Sequence, residues 1–325
     1  MKIAVVGLGV IGKTHVKALS FLGQEVSLLC DIIFERAQKI KETLAPNARV
    51  YADFHEMLEK EKPDAVHICT PHYLHAEMVI EALRRDIHVL CEKPLCMKKE
   101  ELPAVLAAEA ASKATLGVCH QNRYNEVNRF VKDYLKGKKV TTAHGTVTWA
   151  RGKAYYDSEP WRGTKAYEGG GVLINQALHT LDLMNWFFGE AEAAIASCSN
   201  FSLKGEIEVE DTVSARFYGD VGYTFFATNA SAGDLCVEIT FKAEGEEQIT
   251  VLPHAVYSNG KVLFSAENIP GYGKAVYGNG HSKLIADFYG ALAEHRPFAI
   301  SGKEAAAVMR MIWAVYESKG EKTSV

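Results

Sequence analysis

The sequence has no apolar run long enough to span a membrane, no tract of basic residues and no two cysteines at CxxC spacing. Its 325 residues carry a net charge of −4, and no segment is rich in lysine or arginine, which argues against nucleic acid as a partner. The seven cysteines have no CxxC spacing, which favours a reduced, cytoplasmic protein without a zinc cluster. No apolar run reaches the length of a membrane span. The apolar start at Ile3 runs directly into glycines, so we interpret it as a first strand and not as a signal peptide.

A chain of 325 residues is too long for one compact core, so two domains are expected. Strand-like and helix-like segments alternate through residues 1–120, which predicts a doubly wound, parallel α/β sheet of the Rossmann type. After residue 190 the pattern changes to alternating apolar and polar positions with short turns, as in antiparallel strands. We therefore predict a Rossmann domain over 1–120 and an α+β domain over 121–325, with a mostly antiparallel sheet.

A glycine-rich segment follows the first strand at once. Gly7-Leu8-Gly9-Val10-Ile11-Gly12 lies between the apolar run Ile3 to Val6 and a predicted helix over residues 13–22. The first glycine allows a tight turn, the second lets the backbone approach a pyrophosphate, and the third lets the helix pack closely. The free N–H groups of the helix N-terminus face the phosphates. This segment predicts a dinucleotide site formed by Gly7, Gly9, Val10, Ile11 and Gly12.

An acidic residue ends the second apolar run, about twenty residues after the glycines. In dinucleotide-binding domains an acid at this spacing holds the ribose hydroxyls, and here that residue is Asp31. Its charge would repel a 2′-phosphate, and no arginine follows immediately to bind one. The sequence therefore favours NAD over NADP.

Two later strands end in polar groups, and the carboxyl ends of such strands are where ligands collect. The apolar run 65–69 leads into Thr70-Pro71-His72 and then His75, and the run 87–90 leads through Cys91 into Glu92-Lys93-Pro94. A lysine there can be desolvated and have its pKa lowered. His72 and His75 are open to interpretation as a metal pair, but no acid or thiol completes a ligand set, so we predict no metal site. The residues predicted to line the cofactor site here are Thr70, Pro71, His72, His75, Glu92 and Lys93.

Two polar segments in the second half are candidate substrate contacts. Gln121, Asn122, Arg123 and Tyr124 lie at the crossing between the domains, and they fit either substrate or nicotinamide contacts or ordinary interdomain hydrogen bonds. The loop with Tyr155, Tyr156, Trp161 and Arg162 combines aromatic faces with a planar donor, a mixture that suits sugars. A packed surface loop is the other interpretation of this segment.

A helix is predicted from about Val172 to Phe188, directly after three glycines. Asn175, His179 and Asp182 are spaced by four and three residues, so they would share one helical face. A histidine that acts as a base needs a second group to fix its tautomer. Asn175 and His179 are therefore candidates for both catalysis and substrate binding.

Together these motifs resemble the Gfo/Idh/MocA family of nicotinamide-dependent sugar and cyclitol oxidoreductases. The resemblance is carried by GLGVIG at 7–12, Asp31, CTPHYLH at 69–75, HVLCEKP at 88–94 and GGGVLINQALHTLDL at 169–183. It implies a Rossmann domain followed by a domain with a large open antiparallel sheet, through which many members associate as homodimers or homotetramers.

The resemblance also implies residue roles. Lys93 becomes the active-site lysine, near the nicotinamide and the reacting hydroxyl, and the Lys93-Pro94 bond is a candidate cis peptide. The family has a histidine at the position of His179 and often an aspartate at that of Asn175. An amide cannot stabilise an imidazolium as a carboxylate does, so this departure shifts part of the proton transfer to Lys93 and leaves open which group is the base.

Three functions fit these features. The first is an NAD-dependent dehydrogenase that transfers hydride between a sugar, sugar-derivative or cyclitol hydroxyl and the nicotinamide. The second is a redox-neutral glycosidase or lyase that oxidises, eliminates and reduces again with bound NAD. The third is a non-enzymatic nucleotide-sensing regulator, which the presence of both Lys93 and His179 argues against.

Overall fold

The computed structural model of the chain describes residues 1–235, 237–266 and 279–325. These residues group into two compact units. The first unit contains the described residues of 1–124 and 269–306, and the second contains those of 125–268 and 307–325. Residues 279–306 thus belong with the first unit, a return of the chain that the alternation of strands and helices in the sequence does not reveal.

The first unit is built on a six-stranded sheet in which all pairs are parallel. The strand order is β3-β2-β1-β4-β5-β6, so the order reverses beside β1 as in a doubly wound sheet. The predicted Rossmann fold is confirmed, although the short strand β3 was not predicted. The strands are β1 Ile3–Val6, β2 Val26–Cys30, β3 Arg49–Tyr51, β4 Ala65–Ile68, β5 His88–Cys91 and β6 Leu116–Val118.

The helices of this unit follow the strands closely in sequence. They are α1 Val10–Phe21, α2 Phe34–Leu44, α3 Phe54–Glu61, α4 His75–Arg84, α5 Leu102–Ala111 and α9 Gly280–Ala293. Asp53 caps α3, since its carboxylate accepts a hydrogen bond from the backbone N–H of Glu56 at 2.7 Å. Helix α1 begins at Val10, earlier than the predicted Lys13, so the glycine-rich segment itself supplies the first turn.

The second unit contains a nine-stranded sheet with the order β14-β13-β12-β11-β7-β10-β9-β8-β15. Only β7 and β10 pair in parallel among its described strands; the other pairs are antiparallel. The predicted large, mostly antiparallel sheet is confirmed. Its strands are β7 Val140–Thr148, β8 Ala193–Ser199, β9 Thr212–Tyr218, β10 Gly222–Thr228, β11 Val237–Ala243, β12 Glu247–Leu252, β13 Ala255–Ser258, β14 Lys261–Ser265 and β15 Thr323–Ser324.

Helix α8 packs on one face of this sheet, against β7 and β11. A side chain at Gly145 of β7 would place its Cβ 2.3 Å from the sulfur of Met184, so glycine is what lets the helix lie close. The other described α-helices of the chain are α6 Glu126–Tyr134, α7 Lys153–Tyr156, α8 Leu178–Phe188 and α10 Gly302–Ser318. No helix in the described ranges is both long and apolar enough to span a membrane.

The segment that leads into α8 differs from the prediction. Residues Leu173–Ala177 form a π-helical turn, and the α-helix starts only at Leu178. A π-turn closes its hydrogen bonds over five residues, so Asn175 and His179 do not have the angular relation of a uniform α-helix. The predicted start of the α-helix at Val172 is therefore corrected to Leu178, while the shared face of Asn175, His179 and Asp182 stays a prediction. Sequence spacing could not show the π-helical turn, because both helix types carry the same apolar residues.

A buried glutamate holds the start of this segment. Glu210 accepts hydrogen bonds from the N–H groups of Gly171 at 2.9 Å and Leu173 at 3.1 Å, and from the Tyr316 hydroxyl at 3.1 Å. Its backbone carbonyl also accepts the N–H of Val172 at 3.1 Å. A Cβ at position 171 would lie 1.8 Å from that carbonyl oxygen. The glycine before the helix is thus required by the contact with Glu210. Burial raises the pKa of Glu210 to about 7, against the lowering effect of its backbone and Tyr316 donors.

This pKa predicts how stability varies with pH. A carboxyl whose pKa is higher in the folded than in the unfolded state stabilises fully below its ordinary value of 4.5 and loses that contribution as pH rises through about 7. Glu210→Gln, which mimics the protonated group, should remove this loss. We expect urea-unfolding curves between pH 4.5 and 8 to show a smaller decline in stability for the variant than for the wild type.

The matched control is Glu192→Gln, a change at an exposed glutamate of the same unit, which should leave the wild-type pH dependence in place. An equal decline with pH in the Glu210→Gln and wild-type proteins would show that Glu210 does not titrate as described.

Candidate functional site

Parallel pairing brings the chain segments that follow the strands of the first unit to one edge of the sheet. Backbone hydrogen bonds continue one step past the strand ends, from Gly7 N to Cys30 O at 2.9 Å and from Cys69 N to Val6 O at 2.8 Å. The same step links Glu92 N to Ile68 O at 2.9 Å. The residues next in line after the strands, among them Gly7, Asp31 and Glu92, therefore lie along this carboxyl edge, where open α/β sheets bind ligands.

The three motif glycines have different environments at this edge. Gly7 has a φ of 81°, and a Cβ there would lie 2.7 Å from the backbone of Cys69. A Cβ at Gly12 would lie 1.9 Å from the carbonyl oxygen of Gly7. A Cβ at Gly9 would meet no atom of the described residues within 4 Å. Two glycines thus permit close packing, while Gly9 faces open space at the N-terminus of α1, as a phosphate cradle requires.

Asp31 braces this loop with its carboxylate. Its Oδ2 accepts the N–H of Leu8 at 2.7 Å, and its Oδ1 accepts the N–H of Ile33 at 2.9 Å. An ionised carboxylate has about four acceptor positions, so capacity is left for ribose hydroxyls. The guanidinium of Arg36 lies 3.5 Å from Oδ2. This arginine lies five residues after Asp31, in the first turn of α2, and was not among the residues predicted for the site.

The segment after β4 contains two histidines, His72 and His75, and both are buried. His72 is buried in a short 3-10 helix. His75 is fully buried, with Nδ1 2.7 Å from the carbonyl oxygen of Pro94 and Nε2 2.8 Å from that of Thr70. Burial lowers the pKa of His75 although both carbonyls favour the protonated ring. Its ring thus joins the two strand ends that carry the predicted cofactor contacts.

The stretch around Lys93 has a buried acid beside the predicted lysine. The Lys93-Pro94 peptide bond is cis, as the resemblance suggested. The Oε2 atom of Glu92 lies 3.2 Å from the backbone nitrogen of Lys93, and Oε1 lies 2.9 Å from Nε2 of His15. His281 places its Nε2 3.3 Å from the same Oε1. Burial disfavours the charge on Glu92, but the nearby imidazole groups of His15 and His281 outweigh it and hold its pKa well below the usual value.

Residues Gln121–Tyr124 form a buried 3-10 helix packed on α9. Arg123 forms an ion pair with Glu304 at 2.6 Å, and the Tyr124 hydroxyl donates to Asp287 at 2.6 Å. Both partners belong to the first unit. The side chains of Arg123 and Tyr124 therefore pair with acidic residues of the same unit, while their predicted substrate role stays a prediction, as does that of Gln121 and Asn122.

In the second unit a polar cluster surrounds the hydroxyl of Tyr155. That oxygen accepts N–H groups from Arg162, from Gln176 at 2.8 Å and from Asn175 at 3.3 Å. The Arg162 guanidinium stacks on two rings, 4.4 Å from the Tyr155 centroid and 4.6 Å from that of Trp161. Burial raises the pKa of Tyr155 against the lowering effect of Arg162. The structure thus joins the predicted loop to the start of the helix.

Asn175 also has a carboxylate neighbour. Its amide nitrogen lies 2.5 Å from Oε1 of Glu168, a buried residue whose other oxygen accepts the N–H of Gly163. His179 and Asp182 are both buried on α8. Lys93 belongs to the first unit, and Asn175 and His179 belong to the second.

Several polar residues of these clusters carry no motif signal. Most of their partners are far away in the chain, so spacing arguments could not find these contacts. The histidine of the predicted first helix and the glutamate next to the three glycines are visible in the sequence, but nothing there shows what they contact. These residues are His15, His67, His281 and Tyr289 in the first unit and Glu168, Gln176 and Glu210 in the second.

Known proteins resemble the chain over its whole length. Inositol 2-dehydrogenase of Salmonella paratyphi B is 26% identical over 193 residues, which are 58% of this chain and 55% of that protein. Myo-inositol 2-dehydrogenase of Thermotoga maritima is 22% identical, with 100% of this chain and 98% of that protein covered. The chain thus spans about half the length of the first relative and nearly all of the second.

A solved structure has the same fold. WlbA dehydrogenase from Bordetella pertussis, in complex with NADH and UDP-GlcNAcA, superposes with a TM-score of 0.86 at 25% identity and covers 100% of this chain and 98% of its own. Residues 1–120 match a family model described as the oxidoreductase family with an NAD-binding Rossmann fold, and residues 132–247 match the GFO/IDH/MocA C-terminal domain. The chain therefore belongs to the Gfo/Idh/MocA family, and its first domain is that family's NAD-binding Rossmann domain.

Proposed function

We propose that the protein is an NAD-dependent dehydrogenase that transfers hydride between a sugar, sugar-derivative or cyclitol hydroxyl and the nicotinamide. The observation that carries the proposal is the carboxyl edge of the first unit. It combines an open glycine cradle at Gly9, an acid at Asp31 and a lysine at Lys93 in a chain of this family. The relatives named above act on inositol by their names, which supports a polyhydroxylated substrate.

The residues at this edge suit NAD. Gly9 and the N-terminus of α1 would hold the pyrophosphate, and Asp31 would accept the ribose hydroxyls. Thr70, Pro71, His72 and Glu92 complete the cofactor contacts in the proposal, and bound NAD supplies the hydride acceptor. The buried His75 contributes through the backbone carbonyls of Thr70 and Pro94, to which both of its ring nitrogens are close.

The polar cluster of the second unit would bind the substrate. Trp161 and Tyr155 offer flat apolar faces, and Arg162, Asn175 and Gln176 offer N–H donors, a combination that suits sugar hydroxyls. The hydroxyl proton goes to His179 or Lys93, and Asn175 helps to place the substrate. A positioned acid–base group contributes about 10²–10⁴-fold to the rate.

The proposal extends to the whole protein. We infer a cytoplasmic location, a carbohydrate-like partner, and association as a homodimer or homotetramer through the nine-stranded sheet. Strands β9 and β10 support the last point, because their alternate side chains are exposed on one face of that sheet.

The test is an assay with purified protein, NAD and a panel of free sugars, cyclitols, sugar nucleotides and glycosides. NADH absorbance and substrate NMR are followed in the same tube. The proposal expects NADH to appear in step with an oxidised product. Substrate consumption without net NADH would replace it with the oxidation–elimination–reduction route, and a panel without turnover despite NAD binding would favour a nucleotide sensor.

The choice of NAD over NADP is tested at Asp31. Asp31→Asn keeps the side-chain shape but removes the charge that excludes a 2′-phosphate and binds the ribose. We expect the Kd for NAD to rise about tenfold and the preference for NAD over NADP to shrink, as measured by cofactor fluorescence titration. Asp220→Asn, at an exposed turn of the second unit, is the control. Equal losses for both cofactors would refute discrimination by the charge.

The role of Lys93 is tested by Lys93→Met. Removing the ammonium from the reacting centre should lower kcat by about 100-fold or more and leave NAD binding largely intact. The control Lys113→Met changes an exposed lysine of the same unit and should keep full activity. If Lys93→Met kept most of the turnover, the assignment would be wrong, and His179→Gln would then be the variant expected to remove the acidic limb of the pH profile of oxidation, because a base must be deprotonated to accept the hydroxyl proton.

A further inference from the structure

A continuous chain of buried polar groups crosses the core of the first unit and ends at Glu92. The hydroxyl of Tyr289 lies 2.9 Å from Nε2 of His67, and Nδ1 of His67 lies 2.8 Å from Nδ1 of His15. Nε2 of His15 lies 2.9 Å from Oε1 of Glu92. All four residues are at least nine-tenths buried. Such a set of buried groups is stable only if every donor meets an acceptor.

Only one arrangement of protons satisfies these contacts when Glu92 is ionised and both imidazole rings are neutral. A carboxylate only accepts, so His15 must carry its proton on Nε2. A neutral His15 then has a bare Nδ1, and His67 must place its proton on the Nδ1 that faces it. His67 in turn has a bare Nε2, which accepts the hydroxyl proton of Tyr289. Each link therefore determines the next one.

The directions of the pKa shifts agree with neutral imidazole rings on His15 and His67 and an ionised carboxylate on Glu92. Burial is the main cause that lowers the pKa of both His15 and His67. Burial also raises the pKa of Tyr289, which keeps its hydroxyl protonated. The remaining titratable groups that face His15 are the thiol of Cys119, 3.9 Å from its Nε2, and the ring of His281, with centroids 5.7 Å apart.

We propose that Tyr289, His67 and His15 form a one-directional hydrogen-bond chain that holds Glu92 as an oriented carboxylate and thereby positions the backbone of Lys93. The last link is the backbone nitrogen of Lys93, 3.2 Å from Oε2 of Glu92. The first three residues act through Glu92, so they are positioning residues. Their effect on turnover rests on the proposed dehydrogenase function, whereas the proton arrangement does not.

The first experiment reads the proton positions directly in the whole wild-type protein. Side-chain ¹⁵N NMR of histidine-labelled protein, assigned with His15→Gln and His67→Gln, distinguishes protonated from bare ring nitrogens. The chain requires His15 protonated on Nε2 alone and His67 on Nδ1 alone. The opposite tautomer at either ring, or a doubly protonated ring at neutral pH, overturns the proposal.

A metal ion is the competing occupant. The ligand atoms of His15, Glu92 and His281 lie within 4.8 Å of one another, and a coordinated ion needs the Nε2 of His15 bare. Titration of the wild-type protein with Zn²⁺ alone therefore decides the point. Stoichiometric binding that disappears in His281→Gln overturns the chain, and unchanged His15 resonances support it.

The second experiment removes the far end of the chain with Tyr289→Phe. The loss of one hydroxyl should change the tautomer ratio of His67 and lower kcat about ten- to a hundredfold, while the KM for NAD stays near the wild-type value. Tyr223→Phe is the matched control, because its buried hydroxyl meets only a sulfur, that of Met311 at 3.9 Å, among the described residues.

These readouts separate the two proposals. If wild-type protein turns over no substrate of the panel but shows the required tautomers, the dehydrogenase function fails and the chain stands. If the wild type is active, the tautomers are as required and Tyr289→Phe has unchanged kcat, the positioning role at Lys93 is refuted.

Discussion

Parallel pairing of six strands is the constraint on which the first unit depends. Since every strand points the same way, the residues that follow the strands meet at one edge. The backbone hydrogen bonds just past the strand ends extend this alignment to Gly7, Cys69 and Glu92. A shift of one strand by one residue would separate the glycine loop from the segment it touches, because Gly7 packs directly on the backbone of Cys69. The chemistry of the site is thus a consequence of sheet register.

Two buried glutamates have pKa values shifted in opposite directions by their neighbours. Glu92 faces imidazole groups, which favour its charge, so its pKa is held low despite burial. Glu210 faces backbone N–H groups and a hydroxyl, which do not compensate the loss of solvent, so burial raises its pKa to about 7. Both carboxylates end at a backbone nitrogen next to a candidate functional segment. Each therefore orients main chain, and the neighbours decide in which charge state it does so.

The fold was largely predictable because its signals are local. The glycine segment, Asp31 and the alternation of apolar runs each lie within a short window, and the structure places them as expected. The short strand Arg49–Tyr51 was missed because three residues show no periodicity. The π-turn at Leu173–Ala177 was missed because apolar spacing does not distinguish it from an α-helix. Contacts such as that of His67 with Tyr289 join residues 222 apart in the chain, and no pattern in a single sequence reports them.

Asn175, at a position where the family often has an aspartate, is the residue whose surroundings in the structure differ most from what the sequence suggested. The sequence alone suggested that an amide had replaced a carboxylate and that negative charge was lost from this part of the site. The Oε1 of Glu168 lies 2.5 Å from the Asn175 amide nitrogen, so a carboxylate is still present beside this position, supplied by a residue seven places earlier in the chain. An amide held by a carboxylate has a fixed orientation, with its N–H groups directed to Glu168 and Tyr155. An amide oriented in this way can hold its neighbours in place but takes up no proton at neutral pH, so its proposed role is positioning, and Lys93 and His179 stay the proposed proton acceptors.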